Sequence, residues 1–182
     1  MKGTTKNEIY SWLKALAFGF IVAIICRHFI FTPTTVLGES MAPTFQDHDR
    51  VIVSKTSTID RFDVVVFDAP DAVEQYYVKR VIGLPGDQIM VEDDVLFING
   101  KALPEPYLTE NKANNQLVKL TEDFLLEEKT GEATVPAGMY FVMGDNRLKS
   151  KDSRIFGFIS NDSVVGEVKF RYYPFDGIGI PK

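Results

Sequence analysis

From Ile9 to Cys26 the chain is apolar on every face apart from Tyr10, Ser11 and Lys14, and Phe29-Ile30-Phe31 prolongs the run past Arg27-His28. About 20 such residues in a helix cross the ~30 Å hydrocarbon layer of a bilayer, so the pattern predicts one membrane-spanning helix ahead of everything else. A cleaved leader would want small residues after the apolar core, and Thr32-Pro33-Thr34-Thr35 supplies them poorly. A lipid-modified leader would want a small residue before Cys26, where Ile25 stands. A buried helix of a soluble fold would show one polar face, which this segment lacks.

After Pro33 the period shortens to that of strands rich in Val, Ile, Phe and Tyr, separated by turn residues. The predicted strands are Arg50–Val53, Val64–Phe67, Tyr76–Ile82, Ile89–Val91, Met139–Met143 and Val164–Tyr173. Asn99-Gly100, inside Val95–Leu103, has the two residue types that accept the positive φ of a type I′ turn and predicts a tight hairpin. One helix is predicted around Glu122–Lys129 in a polar stretch, 104–133, that reads as an insertion. The pattern therefore predicts a mainly β protein: an antiparallel β catalytic core carrying a small inserted β-rich subdomain, behind one N-terminal transmembrane helix. The expected organisation is an anchor over 1–31, core over 32–87, inserted subdomain over 88–135, and core again over 136–182.

Charge refines this picture. The 182 residues carry a formal charge of −5, and the first 31 hold four Lys/Arg against one Glu, leaving the remainder strongly acidic. An acidic soluble part argues against a nucleic-acid partner. Lys2, Lys6 and Lys14 lie at the start of the apolar run and only Arg27 closely follows it, so the excess of positive charge predicts a cytoplasmic N-terminus and an outward-facing remainder. One cysteine, Cys26, excludes an intrachain disulfide, and with two histidines a zinc site is not expected. Cys26 is read as a small buried hydrophobe rather than a nucleophile. No cofactor and no metal are expected.

The hydrolytic chemistries that sequence can reveal narrow quickly. The Gly-x-Ser-x-Gly elbow is absent, His28 sits at the membrane boundary, and His48 sits in the charged turn Gln46–Arg50. Ser11-x-x-Lys14 lies in the mouth of the anchor and is read as chance. Lys79 is different, because it stands inside an otherwise apolar strand. Burial disfavours an ammonium and can lower its pKa from ~10.4 to about 7 or 8, where the neutral amine accepts a proton from a serine hydroxyl. Arg80 beside it must face the other side of the strand. Taken singly, a Lys-Arg pair in a strand also suits a solvated edge, and Ser40 also suits a turn before Pro43.

Three blocks occur in order: Ser40-Met41-Ala42-Pro43-Thr44, then Tyr77-Val78-Lys79-Arg80-Val81-Ile82-Gly83-Leu84-Pro85-Gly86-Asp87, then Gly144-Asp145-Asn146-Arg147 with Ser150, Asp152, Ser153, Arg154 and Phe156-Gly157. Behind one hydrophobic segment, and over nearly the whole chain, they resemble the type I signal peptidase family of Ser/Lys serine peptidases, in its Gram-positive-like branch. The resemblance implies Ser40 as nucleophile and Lys79 as general base. It implies Ser150 as the hydroxyl that orients the lysine amine, Asp145 as salt-bridge partner of Arg80, and Asp152 with Arg154 as a second supporting pair. Where one branch of the family offers a serine hydroxyl to the oxyanion, this chain has Gly38, so the N–H of Ser40 remains and another donor or a water is implied as the second, an N–H near Gly38 being one candidate. Val36, Met41, Tyr77 and Val78 match the substrate pocket and its extended edge.

The implied function is that of a membrane-anchored endopeptidase removing N-terminal signal peptides from exported preproteins by cutting after small residues of the Ala-x-Ala type. Its partners would be those signal peptides and the lipid bilayer, with no nucleic acid and no metal. It would sit in a bacterial cytoplasmic membrane, single-pass, with the catalytic domain on the outer face. Self-cleaving repressors share the Ser-Met and lysine features but carry a DNA-binding N-terminus where this chain has an apolar span. A non-enzymatic anchored binder would be expected to have lost Ser40 or Lys79.

Overall fold

The computed structural model describes residues 4–180; Lys2 and the side chains of Lys6, Cys26 and His28 lie outside the described residues. Helix α1 spans Thr4–Phe29, and its residues from Glu8 to Ile25 are exposed. Among the described residues it is the one helix long and apolar enough to cross a membrane. The apolar run read as anchor through Phe31 is not helical to its end. Strand β1, Phe31–Thr35, pairs with β2, Arg50–Ser54, from Phe31↔Ser54 to Thr35↔Arg50. The residues explain this, since Thr32, Thr34 and Thr35 are β-branched and Pro33 disfavours helix in the residue before it. Pro33 is tolerated because β1 is an edge strand.

Strands β3 (Val64–Asp68) and β4 (Tyr76–Gly83) follow, then β5 (Ile89–Glu92), β6 (Val95–Ile98) and β7 (Lys101–Leu103). Asn99 and Gly100, with φ of 52° and 76°, close the predicted hairpin between β6 and β7. Helix α2 (Thr109–Asn114), strand β8 (Phe124–Leu125) and helix α3 (Leu126–Thr130) complete the stretch of chain read as an insertion. The helix expected over Glu122–Lys129 thus starts later. Leu125 and Phe124 pair with Met90 and Val91 of β5, and Glu128 turns back to accept the N–H of Leu125 at 3.0 Å, which caps the helix at that point. Strand β9 (Met139–Met143), helix α4 (Ser153–Phe156), strand β10 (Ile159–Ser160) and the long β11 (Val164–Tyr173) finish the fold.

All pairings are antiparallel, in a seven-stranded sheet ordered β1-β2-β11-β3-β4-β9-β10 and a four-stranded sheet ordered β7-β6-β5-β8. The unbroken apolar run Val64–Phe67 reflects a strand buried on both faces. Val64 and Val66 pack with Val36, Met41, Phe45 and Val78 on one side, whereas Val65 and Phe67 pack with Val81, Val142 and Ile159 on the other. Burial of each such side chain is worth about 1.5–3 kcal/mol. A third cluster joins the sheets, with Ile82, Phe141 and Met143 of the larger against Ile89, Leu96 and Phe124 of the smaller. β4 is therefore buried on both faces from Val78 onward, and it carries Lys79 and Arg80 side by side.

Candidate active site

Ser40 lies on a loop that begins where β1 runs into Val36. Val36 exchanges backbone hydrogen bonds with Asp49 at 2.8 Å and His48 at 2.9 Å, and the fully buried side chains of Met41 and Phe45 seat the loop on the core. Gly38 has a φ of +82°, in the left-handed region that side chains with a Cβ rarely adopt, which gives a backbone reason for glycine where another branch has serine. Its N–H donates to Asp47 Oδ1 at 2.8 Å. The Gly38 N–H, one candidate for the second oxyanion donor, is thus held by the Asp47 carboxylate. The N–H of Ser40 has no protein acceptor among the described residues.

Lys79 Nζ lies 2.6 Å from Ser40 Oγ and 3.1 Å from the carbonyl oxygen of Val78. The residue is 4% exposed. Burial pushes its pKa down, and the charges of Asp152 and Asp145 push back; burial wins, and the value falls from 10.5 to about 8. A neutral amine at that distance from a hydroxyl can take its proton, so the pair has the geometry of a nucleophile and its base.

On the opposite face of β4, Arg80 makes a bidentate pair with the fully buried Asp145, Nε to Oδ1 at 2.9 Å and Nη2 to Oδ2 at 2.6 Å. Arg80 also donates to Phe62 O at 2.8 Å and stacks 3.9 Å from the Tyr107 ring centroid. Thr44 Oγ1 donates to Asp145 Oδ2 at 2.5 Å, tying the serine loop to the same carboxylate. Asp152 caps α4 and receives Arg154 at 2.8 Å on each oxygen and the N–H of Gly144 at 3.0 Å. Burial alone would raise the Asp152 carboxyl, but Arg154 and that N–H together hold it below its ordinary value.

Ser150 is the residue expected to orient the lysine amine. Its buried Oγ makes no hydrogen bond of normal geometry and does not reach the lysine; proximity to Asp152 is only the weakest of the influences holding that carboxyl down. Instead the hydroxyl packs over Gly144, where a Cβ would collide with both Ser150 Oγ and the carbonyl oxygen of Ser40. Gly144 is thus required by close approach. Asn146 N–H completes the contact by donating to that Ser40 carbonyl at 3.0 Å.

A groove of about 400 Å³ opens at Ser40 and Lys79, lined by Gly38, Tyr77 and Val78 and rimmed by Lys149 and Lys151. Residues 76–79 of β4 pair with β3 on one side, while pairing with β9 begins only at Arg80↔Met143, so one backbone edge faces the groove. Val36 and Met41, read as pocket wall, are 1% and 0% exposed and pack inward against Val64 and Val66, as the strand alternation of β1 and the turn after it dictate. Among the described residues no cluster of His, Cys, Asp and Glu is arranged to hold a metal ion.

Sequence reasoning missed the contribution of residues 105–121. Arg147 forms a buried ion pair with Glu105 and donates to Thr121 Oγ1 and Gly144 O, both at 3.1 Å. Tyr107 donates to Glu105 at 2.7 Å, and burial pushes its phenol far up. Asn111 donates to Ala42 O at 3.1 Å and Asp145 O at 2.8 Å. No periodicity marks these partners, and Arg147 sits in a charged run that gives no sign of burial.

Comparison with known proteins places the chain among like sequences. A family model described as signal peptidase, peptidase S26, matches residues 9–173. Signal peptidase I of Bacillus caldolyticus is 47% identical over 174 residues, covering 93% of this chain and 92% of its own. Signal peptidase I of Bacillus licheniformis is 44% identical over 180 residues, covering 95% and 93%. Signal peptidase IB of Staphylococcus aureus is 43% identical over 178 residues, covering 93% and 92%. The crystal structure of a signal peptidase I from Enterococcus faecalis superposes with a TM-score of 0.58 at 47% identity, covering 61% of this chain and 97% of that one.

Proposed function

The chain belongs to the signal peptidase family, peptidase S26, and from that premise we propose that it is a membrane-anchored endopeptidase that removes signal peptides from exported preproteins through Ser40 and Lys79. The observation that carries this reading is the 2.6 Å approach of a buried lysine amine, its pKa about 8, to a serine hydroxyl.

The steps follow from the groups present. An extended precursor segment pairs with the open edge at residues 76–79 and sets its scissile carbonyl against Ser40. Neutral Lys79 takes the proton of Oγ as Oγ adds to that carbonyl, and the N–H of Ser40 donates to the resulting oxyanion. The ammonium of Lys79 then returns its proton to the departing amine, which frees the mature protein and leaves the signal peptide as an ester on Ser40. Lys79, neutral again, removes a proton from a water that attacks the ester, and Ser40 recovers its hydrogen when the ester breaks. Asp145 and Asp152, each paired with an arginine, fix the loop that closes over the lysine.

The shallow wall at Tyr77 and Val78 selects small side chains by excluding large ones. α1 holds this site at the outer face of the membrane, with the N-terminus in the cytoplasm. The test is a preprotein bearing Ala-x-Ala, incubated with the full chain in detergent micelles, with the new termini located by mass spectrometry. One cut after the second Ala is expected, abolished when that Ala becomes Leu; cutting that ignores the substitution would contradict the proposal.

A further inference from the structure

Asn111 is the one side chain outside the two catalytic loops that, among the described residues, hydrogen-bonds both of them. Its amide donates one hydrogen to Ala42 O at 3.1 Å, two residues beyond Ser40, and the other to Asp145 O at 2.8 Å. The residue sits on α2, and its own carbonyl accepts from Asn115 Nδ2 at 2.9 Å, which keeps that short helix in register. Behind it, the Glu105–Arg147 pair, with Tyr107 lying between Arg147 and Arg80, packs the same segment against the 144–154 loop. The two loops contain the nucleophile and both of the carboxylates acting on Lys79.

We infer that Asn111 is a positioning residue for the reaction: resting on the Ser40/Lys79 reading, it clamps the serine loop to the Asp145 loop and so sets the separation of Oγ and Nζ and the dryness around Nζ. The chemistry is specific to an amide. Both partners are carbonyl oxygens, so the clamp needs two hydrogens on one planar nitrogen, and a carboxylate of the same shape offers none and repels both. Freed, the loops part, the lysine hydrates and its amine recovers basicity. A misplacement of about 1 Å between reacting groups costs on the order of 100-fold in turnover.

The experiment compares the full chain in detergent micelles with Asn111→Asp, Asn111→Ala and Asn111→Gln, all rates taken per folded molecule. It reads kcat, KM and the pH midpoint of kcat on one preprotein. Asn111→Asp is expected to lose kcat about 10- to 100-fold with KM unchanged and to move the midpoint upward. Asn111→Ala should follow it in part, and Asn111→Gln, which keeps the NH₂, should restore more activity than Ala. Lower thermal stability with kcat and midpoint unchanged in Asp and Ala would overturn the inference, as would an Asn111→Gln no better than Ala. Ser40→Ala runs alongside: it must be inactive, and activity there would show that the serine-lysine reading itself had failed, taking the clamp with it.

Discussion

Replacing Lys79 by Met removes the one charge whose burial the site opposes most, and its effect on stability can be worked out as a function of pH. In the folded chain the lysine pKa is about 8 against an ordinary 10.5. Below pH 8 both folded and unfolded chains carry the proton, and the folded one bears the full cost of a buried ammonium, about 3 kcal/mol for a shift of that size. Between pH 8 and 10.5 the unfolded chain keeps the proton while the folded chain has lost it, so the stability of the parent rises with pH across that window. Lys79→Met has no such dependence. The stability of the parent minus that of the variant should therefore rise by about 2 kcal/mol between pH 7 and pH 9.5, most of it above pH 8. Denaturant midpoints of the full chain in detergent, followed by circular dichroism with the slope checked for constancy, measure it. A difference that stays flat across this range would refute the depressed pKa and, with it, the reason for assigning the lysine as a base at neutral pH.

The same titration sets the rate: kcat/KM for a soluble signal-sequence peptide should climb through about pH 8 as the neutral amine is populated, and a maximum near pH 5 would move the base to a carboxylate. Gly144→Ala places a Cβ against Ser150 Oγ and the Ser40 carbonyl, and should lower turnover at least tenfold through displacement of the serine, while core packing elsewhere is untouched; unchanged turnover would deny that close approach a role. A chain starting at Ile30 retains β1 and should cut a soluble peptide normally but a membrane-inserted precursor more slowly, whereas a start at Val36 removes an edge strand and should lower the melting temperature. Equal loss on both substrates from the Ile30 start would mean that α1 supports the folded site itself.

The fold was legible wherever side-chain periodicity follows backbone geometry. Val64–Phe67 reads as a strand because both of its faces are buried, and Asn99-Gly100 reads as a turn because both residues accept positive φ. Phe31–Thr35 was hidden because Phe31 continues an apolar run and only the pairing with β2 ends the helix. The start of α3 depended likewise on Phe124 and Leu125 finding β5.

At the site, an apolar strand interrupted by Lys79 was visible as an anomaly, since burying an amine leaves a mark in its neighbours. Contacts made by polar residues across long separations leave none. Asn111 reaches Ala42 and Asp145 from 69 and 34 residues away, and Glu105 meets Arg147 across 42. Ser150 was readable as a member of its block, but where its hydroxyl rests depends on how closely Gly144 and Ser40 approach, which only the folded backbone decides.

The central claim is that Ser40, activated by Lys79, cuts exported precursors at one place. Its most direct measurement is the intact-mass spectrum of one Ala-x-Ala preprotein after incubation with the parent chain, with Ser40→Ala and with Lys79→Ala, each folded by circular dichroism. The parent should convert the precursor to mature protein and free signal peptide at a single bond, and both variants should leave it whole. Conversion by Ser40→Ala at the same bond and a comparable rate would place the nucleophile on another residue and contradict the account.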